Sequence, residues 1–170
     1  MRYSRQRKRK KSKRRSEAAL YEPVLASLSE IFKPHGEFYL EPTARTKLSD
    51  NLKSVLSDQI LFVHLVERFI PDLMGYIKRQ GLQEIIVVEV KAGNLRLKDI
   101  FQVREYAEIF DATYAILVSP RPLSEEIRRI LNQRPIHAYR SGYGSICVGC
   151  FDSSTNTITD WYPRPLQFGS

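Results

Sequence analysis

Apolar residues recur along this chain in two periods, and the switches between them outline a mixed order of helices and strands. Leu20, Val24, Leu28, Ile31 and Phe32 repeat at helical spacing. Ser16 reads as the N-cap of that helix, with Glu17 in its first turn. Pro34-His35-Gly36 stops it. Residues 37–40 form a short aromatic strand, and 42–47 a polar loop. Between 49 and 70 the pattern is ambiguous. Ser49-Asp50 caps a short helix through Leu56, whereas the apolar run 59–66 suits strand or helix equally, and periodicity alone does not separate them. Pro71 ends any helix before it and biases Ile70 toward extended geometry. Strands follow at 73–77 and 85–90, joined through the turn residues Lys78-Arg79-Gln80-Gly81. Residues 97–110 carry a helical stripe of Ile100, Val103, Ala107 and Phe110. A buried strand at 115–118 precedes a helix at 123–131, whose Glu125, Glu126, Arg128 and Arg129 match the helix dipole. A strand at 136–139 and a hairpin of 145–151 with 157–162, turning through 153–156, close the chain. This order predicts an α/β fold, a central mixed β-sheet flanked by helices.

The length of 170 residues suits one domain, expected over 16–170. No apolar run approaches the roughly 18 residues needed to cross a bilayer. The N-terminus lacks the apolar stretch of a secretory signal. An intracellular protein is expected, cytoplasmic in a prokaryotic or viral setting and nuclear in a eukaryotic one.

Charge changes the picture at one end only. The formal net charge is +8, yet residues 1–15 hold ten Lys/Arg and no acid, leaving 17 basic and 19 acidic residues in the rest. Arg5, Arg7, Lys8, Arg9, Lys10, Lys11, Lys13, Arg14 and Arg15 therefore form a self-repelling tail, expected to be disordered when unbound. Its natural partner is a polyanion, bound with steep salt dependence. An import address and simple solubility are the competing readings.

Cys147 and Cys150 form a lone Cys-x-x-Cys. A structural zinc site takes four ligands, and His35, His64 and His137 have no ligand-like spacing to complete one. The pair lies in a strand, where residues three apart face opposite ways. Two small apolar side chains in a reducing compartment account for it.

The chemistry concentrates at the predicted hairpin. The apolar run Ile85-Ile86-Val87-Val88 ends in Glu89-Val90-Lys91. Burying a carboxylate or an ammonium unpaired is expensive, so such an ending calls for a reason. Asp72 begins the partner strand, and an antiparallel hairpin brings those two ends together. Glu89 and Lys91, two apart, share a face, while Val90 turns to the core with its carbonyl still able to reach a metal. Metal-assisted phosphodiester hydrolysis needs a cation on the phosphoryl oxygen, a more acidic water and neutralisation of developing charge. Hard cations such as Mg²⁺ favour carboxylate oxygens.

Pro71-Asp72 followed by Glu89-x-Lys91 resembles the PD-(D/E)XK, restriction-endonuclease-like nuclease superfamily. The resemblance covers about residues 16–120. It implies that Asp72, Glu89 and the Val90 carbonyl hold Mg²⁺ or Mn²⁺, and that Lys91 orients or activates the attacking water. Many members add a glutamate from the first helix, which here is Glu22, with Glu17 as the competing choice. Gln102 and Tyr106, four apart on the following helix, resemble the RecB-type subgroup, where such residues position substrate beside the metal. The iron–sulfur variant of that subgroup uses four cysteines, and two exclude it. Lys98 and Arg104 suit either phosphate contact or solvent. Small Ala92 and Gly93 suit close approach of a nucleic-acid backbone. Residues 42–70 depart from compact junction resolvases of the superfamily, and 121–170 match no subfamily. The aromatic residues there (Tyr139, Tyr143, Phe151, Trp161, Tyr162) serve either as core or for base stacking. The resemblance implies a Mg²⁺-dependent DNA endonuclease with a basic arm, dimeric if it cuts both strands. A non-catalytic nucleic-acid-binding protein retaining the fold, or an RNA-directed nuclease, are the alternatives.

Overall fold

Pro23 decides where the first helix starts. Residues 16–18 form a helical turn, the chain then turns at Ala19-Leu20, and α1 (Tyr21–Phe32) begins afresh. A proline has no N–H for the carbonyl four residues back and its ring crowds that oxygen, so an unbroken helix through Ala19 is disfavoured. The first α-type bond instead runs from the Val24 N–H to the Leu20 carbonyl at 3.0 Å. Ser16 therefore does not cap one long helix, as the apolar repeat suggested. The computed structural model describes residues 16–44, 47–58, 61, 70–133, 136, 138–139, 144–164 and 166. The basic segment 1–15, most of the apolar run 59–66, and Tyr143 lie outside the described residues.

The remaining elements follow as β1 (Glu37–Pro42), α2 (Asp50–Lys53), β2 (Leu73–Arg79), β3 (Leu82–Val90), α3 (Leu97–Ile109), β4 (Tyr114–Ser119), α4 (Glu125–Gln133), β5 (Ala138–Tyr139), β6 (Gly144–Asp152) and β7 (Thr157–Tyr162). Ser49 caps α2 as expected, its hydroxyl accepting from the Leu52 N–H at 3.2 Å. The β2–β3 hairpin is tighter than the four-residue turn the sequence suggested. Its strands extend to Arg79 and Leu82, leaving Gln80-Gly81 at φ 49° and 77° as a two-residue turn. Two positive φ angles match the right-handed twist of the flanking strands.

The sheet runs β1-β2-β3-β4-β6, with β5 and β7 sharing the outer edge of β6. β1, β2 and β3 pair antiparallel, whereas β3–β4 and β4–β6 are parallel. The sheet is therefore mixed, and the chain is an α/β protein with helices on both faces. Along β3, alternate residues divide between those faces. Ile86, Val88 and Val90 pack with Val24, Leu28 and Phe32 of α1. Ile85 and Val87 pack with Ile100, Val103 and Ala107 of α3, with Phe110 just after it, and with Ile127 and Leu131 of α4. Phe151 and Tyr162 are buried, which settles them as core. In β7, Asp160 adopts φ 48° where the β6–β7 register shifts, and both of its carboxylate oxygens accept from the Arg128 guanidinium at 3.0 Å. Cys147 and Cys150 are both free thiols of β6, and burial pushes the Cys147 thiol up to about 11. Among the described residues no helix is long and apolar enough to cross a membrane.

Gly75 is where β1 and β2 meet without room for a side chain. A Cβ there would lie 2.0 Å from the Tyr39 carbonyl oxygen and 2.7 Å from the Leu40 Cα. Both obstacles are backbone, so Gly75→Ala must part the strand pair that leads into Asp72. A loss of about 3 kcal/mol in urea unfolding is expected, at the upper end of ordinary overpacking. A loss below about 1 kcal/mol would mean that the edge strand gives way freely.

Candidate active site

Asp72 sits one residue before β2 and Glu89 one residue before the end of β3. The register pairs Leu73 with Val88, so one step further the two acids stand opposite each other. Strand parity puts Glu89 on the α3 side of the sheet and turns Val90 under α1. The corner lies at the C-terminal end of β3, beside its parallel neighbour β4. There the Lys91 N–H donates to the Val118 carbonyl at 2.9 Å. Crevices outside the carboxyl ends of parallel strands are the usual ligand positions in open α/β sheets.

Asp72 is held from three directions. Its carbonyl accepts from the Thr43 N–H at 2.9 Å, and the buried Thr43 hydroxyl donates to the Pro71 carbonyl at 2.7 Å. Its Oδ2 accepts from the Val90 N–H at 2.8 Å. Its Oδ1 accepts from the Tyr21 hydroxyl at the start of α1. Burial, the bond to Asp72 and the neighbouring charges of Asp72, Glu89 and Glu17 all raise the Tyr21 phenol, so it stays protonated and donates.

Glu89 is 4 % exposed, a depth rarely tolerated for a carboxylate without a partner. Its Oε1 accepts from Lys91 Nζ at 2.5 Å and from Gln102 Nε2 at 2.9 Å. Among the described residues no hydrogen bond falls on Oε2. Gln102 also accepts from Lys91 Nζ at 3.1 Å through its Oε1, and its Nε2 lies 3.0 Å from the Tyr106 hydroxyl. Burial first and the charge of Asp72 second push Glu89 up to about 7, against the opposing pull of Lys91. Burial works against the Lys91 ammonium. The charge and hydrogen bond of Glu89, with the charges of Asp99 and Asp72, outweigh it and hold Lys91 above its ordinary range. Burial and the charge of Glu89 push the Tyr106 phenol up to about 12. Two acids of one sign thus face each other across one ammonium.

The fold therefore brings Asp72, Glu89, Lys91, Gln102 and Tyr106 into one hydrogen-bonded corner. It does not bring Glu22 there. Glu22 is exposed, and Tyr21 is the α1 residue that reaches Asp72. Glu17, in the turn before the Pro23 break, is half-buried, and its charge is felt at both Glu89 and Tyr21. From this segment the charge of Glu17, the competing choice to Glu22, is thus the one that acts on the corner. Arg104 pairs with Glu108 at 2.9 Å on the outer side of α3, and Lys98 is exposed.

Two further residues of the corner carry no motif in the sequence. Asp99 is 6 % exposed, lies 4.0 Å from Lys91 Nζ, and accepts from the Arg96 N–H at 2.8 Å at the start of α3. Its signal is present nonetheless, because Asp99, Gln102 and Tyr106 fall three and seven residues apart on one helix face. Tyr21 has no such signal, since only the break at Pro23 turns it toward Asp72.

The donor set bears on which cation the corner can take. Among the described residues no group of three or more His, Cys, Asp or Glu side chains is present that could hold a metal ion on its own. A closed protein cage is thereby absent among them. Two opposed carboxylates, one with an oxygen carrying no hydrogen bond, fit the alternative of a hard cation that keeps several waters and takes one or two carboxylates from the protein. The mutual repulsion that raises Glu89 is the charge such a cation would relieve.

The class defined at this point is an α/β protein with an acidic corner and a half-buried lysine at the end of a mixed sheet. Compared with known protein-family models and with curated proteins, the chain matches none. A narrower assignment rests on the corner's own residues.

Proposed function

We propose that this protein is a metal-dependent nuclease of the PD-(D/E)XK, restriction-endonuclease-like type that hydrolyses phosphodiester bonds of DNA. The observation that carries the reading is the convergence of Asp72, Glu89, Lys91 and Gln102 from three separate elements on one corner. Asp72 and Glu89 would hold Mg²⁺ or Mn²⁺, together with the Val90 carbonyl. The chemistry such a cation supplies when bound is polarisation of the phosphoryl oxygen and acidification of the attacking water. Lys91, kept as an ammonium, donates hydrogen bonds and offsets charge developing on the phosphate; it does not serve as a proton acceptor. Gln102 holds Lys91 and Glu89 in register, and Tyr106 buttresses Gln102. Restricting Lys91 in this way removes a long side chain's freedom before substrate arrives.

Attraction of a polyanion falls to the basic arm, because the rest of the chain is slightly acidic. Ser16 follows that arm directly and stands five residues before Tyr21, which reaches Asp72. The ten cations thus precede Tyr21 closely in the chain, which would favour local capture of the strand to be cut. Deleting residues 1–15 is expected to weaken DNA binding and flatten its salt dependence, by about 0.9 in slope for each phosphate no longer neutralised. An unchanged slope in fluorescence anisotropy across roughly 50–200 mM salt would remove the arm from the interface.

The reading itself is tested by a Mg²⁺ and Mn²⁺ cleavage screen over single-stranded, duplex and branched DNA and over RNA, with Lys91→Ala as the control. Lysine-dependent cleavage of DNA is expected. Cleavage of RNA alone would redirect the substrate class. Tight nucleic-acid binding with no metal binding and no cleavage would overturn the enzyme in favour of a binding protein that kept the fold.

A further inference from the structure

Tyr21 has a place that no residue of the nuclease resemblance fills. Its ring packs, partly buried, against the core beneath α1, while its hydroxyl leaves that core to reach Asp72 Oδ1. The Val90 N–H occupies the other oxygen, Oδ2. One donor on each oxygen defines both the rotamer and the plane of the carboxylate. The two donors come from different elements, one from a helix side chain and one from a strand backbone, so the carboxylate cannot turn without giving up a bond. Glu89 is held differently, with Lys91 and Gln102 both donating to its Oε1.

The start of α1 creates this arrangement. Pro23 prevents the helix from continuing back through Ala19, so α1 starts at Tyr21 and its first residue reaches Asp72, just ahead of β2. Leu20 at the N-cap makes no side-chain cap bond. The polar group that the helix start contributes goes to Asp72 rather than to the helix itself.

We propose that Tyr21 is a positioning residue for Asp72: it presets the carboxylate for the cation and couples the seat of α1 to the active corner. The proposal rests on the nuclease reading above. Outer-shell hydrogen bonds of this kind change metal affinity or activity by about 10–100-fold when removed.

The test compares Tyr21→Phe with Tyr39→Phe. Both changes delete a hydroxyl bonded to a carboxylate, since Tyr39 donates to Glu41 at 2.5 Å, but Glu41 is not a proposed metal ligand. Mn²⁺ binding by calorimetry and thermal unfolding without metal are measured for both variants and for the unaltered protein. Tyr21→Phe is expected to weaken Mn²⁺ binding about tenfold or more and to lower kcat at saturating metal, with an unfolding temperature close to that of Tyr39→Phe. Tyr39→Phe is expected to leave Mn²⁺ affinity unchanged. Equal Mn²⁺ affinity in Tyr21→Phe and the unaltered protein would overturn the positioning role while the nuclease reading stands. Equal loss of affinity in both variants would show a general effect of destabilisation and also overturn it. Absence of Mn²⁺ binding to the unaltered protein would overturn the nuclease reading, and the role of Tyr21 with it. Should Tyr21→Phe be unstable, Tyr21→Trp, which retains an N–H donor on a ring, is read in the same titration; affinity restored relative to Tyr21→Leu supports the hydrogen bond, and no difference between them refutes it.

Discussion

Lys91→Ala is expected to lower metal-dependent cleavage by about a thousandfold or more while leaving DNA affinity within about threefold. Two losses combine, the first ordinarily worth about a hundredfold or more and the second about 10–100-fold. The first is the ammonium itself, the cation that Glu89 and Gln102 hold at the corner. The second is indirect. Lys91 is the group that pulls the Glu89 carboxyl down, against burial and the charge of Asp72. Without it Glu89 moves further above its ordinary range and is protonated over more of the neutral region, so one of the two proposed carboxylate ligands is weakened as well. On the proposed reading affinity is spared because the basic arm, not the half-buried lysine, would meet the bulk of the phosphates. Single-turnover cleavage and anisotropy titrations read the two quantities separately. Asp72→Ala should match the loss. A Lys91→Ala rate within about tenfold of the unaltered protein would move the chemistry elsewhere.

The apo protein is expected to lose stability as pH rises from about 5 to about 8, and divalent cation to restore it. The sign follows from Glu89, whose carboxyl is raised in the folded state from 4.5 to about 7. In that window the folded state holds a proton that the unfolded state has released, so unfolding becomes more favourable with each step in pH. Below about 4.5 both states are protonated and there is no contribution. Above about 7 the folded protein carries the full cost of an ionised, buried carboxylate facing Asp72, about 3 kcal/mol at the conversion of ~1.4 kcal/mol per pKa unit. Urea midpoints should therefore fall between about pH 5 and about pH 8 in the unaltered protein and stay nearly level in Glu89→Gln, which carries no titrating proton in either state. Added Mg²⁺ or Mn²⁺ should stabilise more at the higher pH, because only the ionised carboxylate binds a cation. Parallel pH profiles for the two proteins would exclude Glu89 as the source.

Much of the corner is legible in the residues because it is built from local relations. Glu89 and Lys91 share a face by strand parity, and an antiparallel hairpin brings Asp72 to the same end as Glu89. Gln102 and Tyr106 share a helix face by spacing alone. Asp99 is harder to single out although it belongs to the same face, since an acid at a helix start has an ordinary role as a cap, which it also fills through the Arg96 N–H. Glu22 is the residue that analogy with glutamate-bearing first helices selects. The backbone break at Pro23 shifts the helical phase so that Tyr21 and Glu17 approach the corner instead. The tight Gln80-Gly81 turn is hidden within a four-residue stretch of turn formers, of which Lys78 and Arg79 belong to the strand.

By itself, the sequence determined the alternation of helices and strands, the segregation of positive charge into residues 1–15, and the pairing of Asp72 with the Glu89–Lys91 face. Each of these depends on residues close together in the chain, where periodicity, parity and turn geometry leave few choices. Only the tertiary structure decided that β4 and β6 extend the sheet in parallel, that α1 and α3 cover opposite faces, and that Tyr21 reaches Asp72 while Asp99 approaches Lys91. Those outcomes depend on how distant segments bury apolar area against one another, and on where one proline forces a helix to begin.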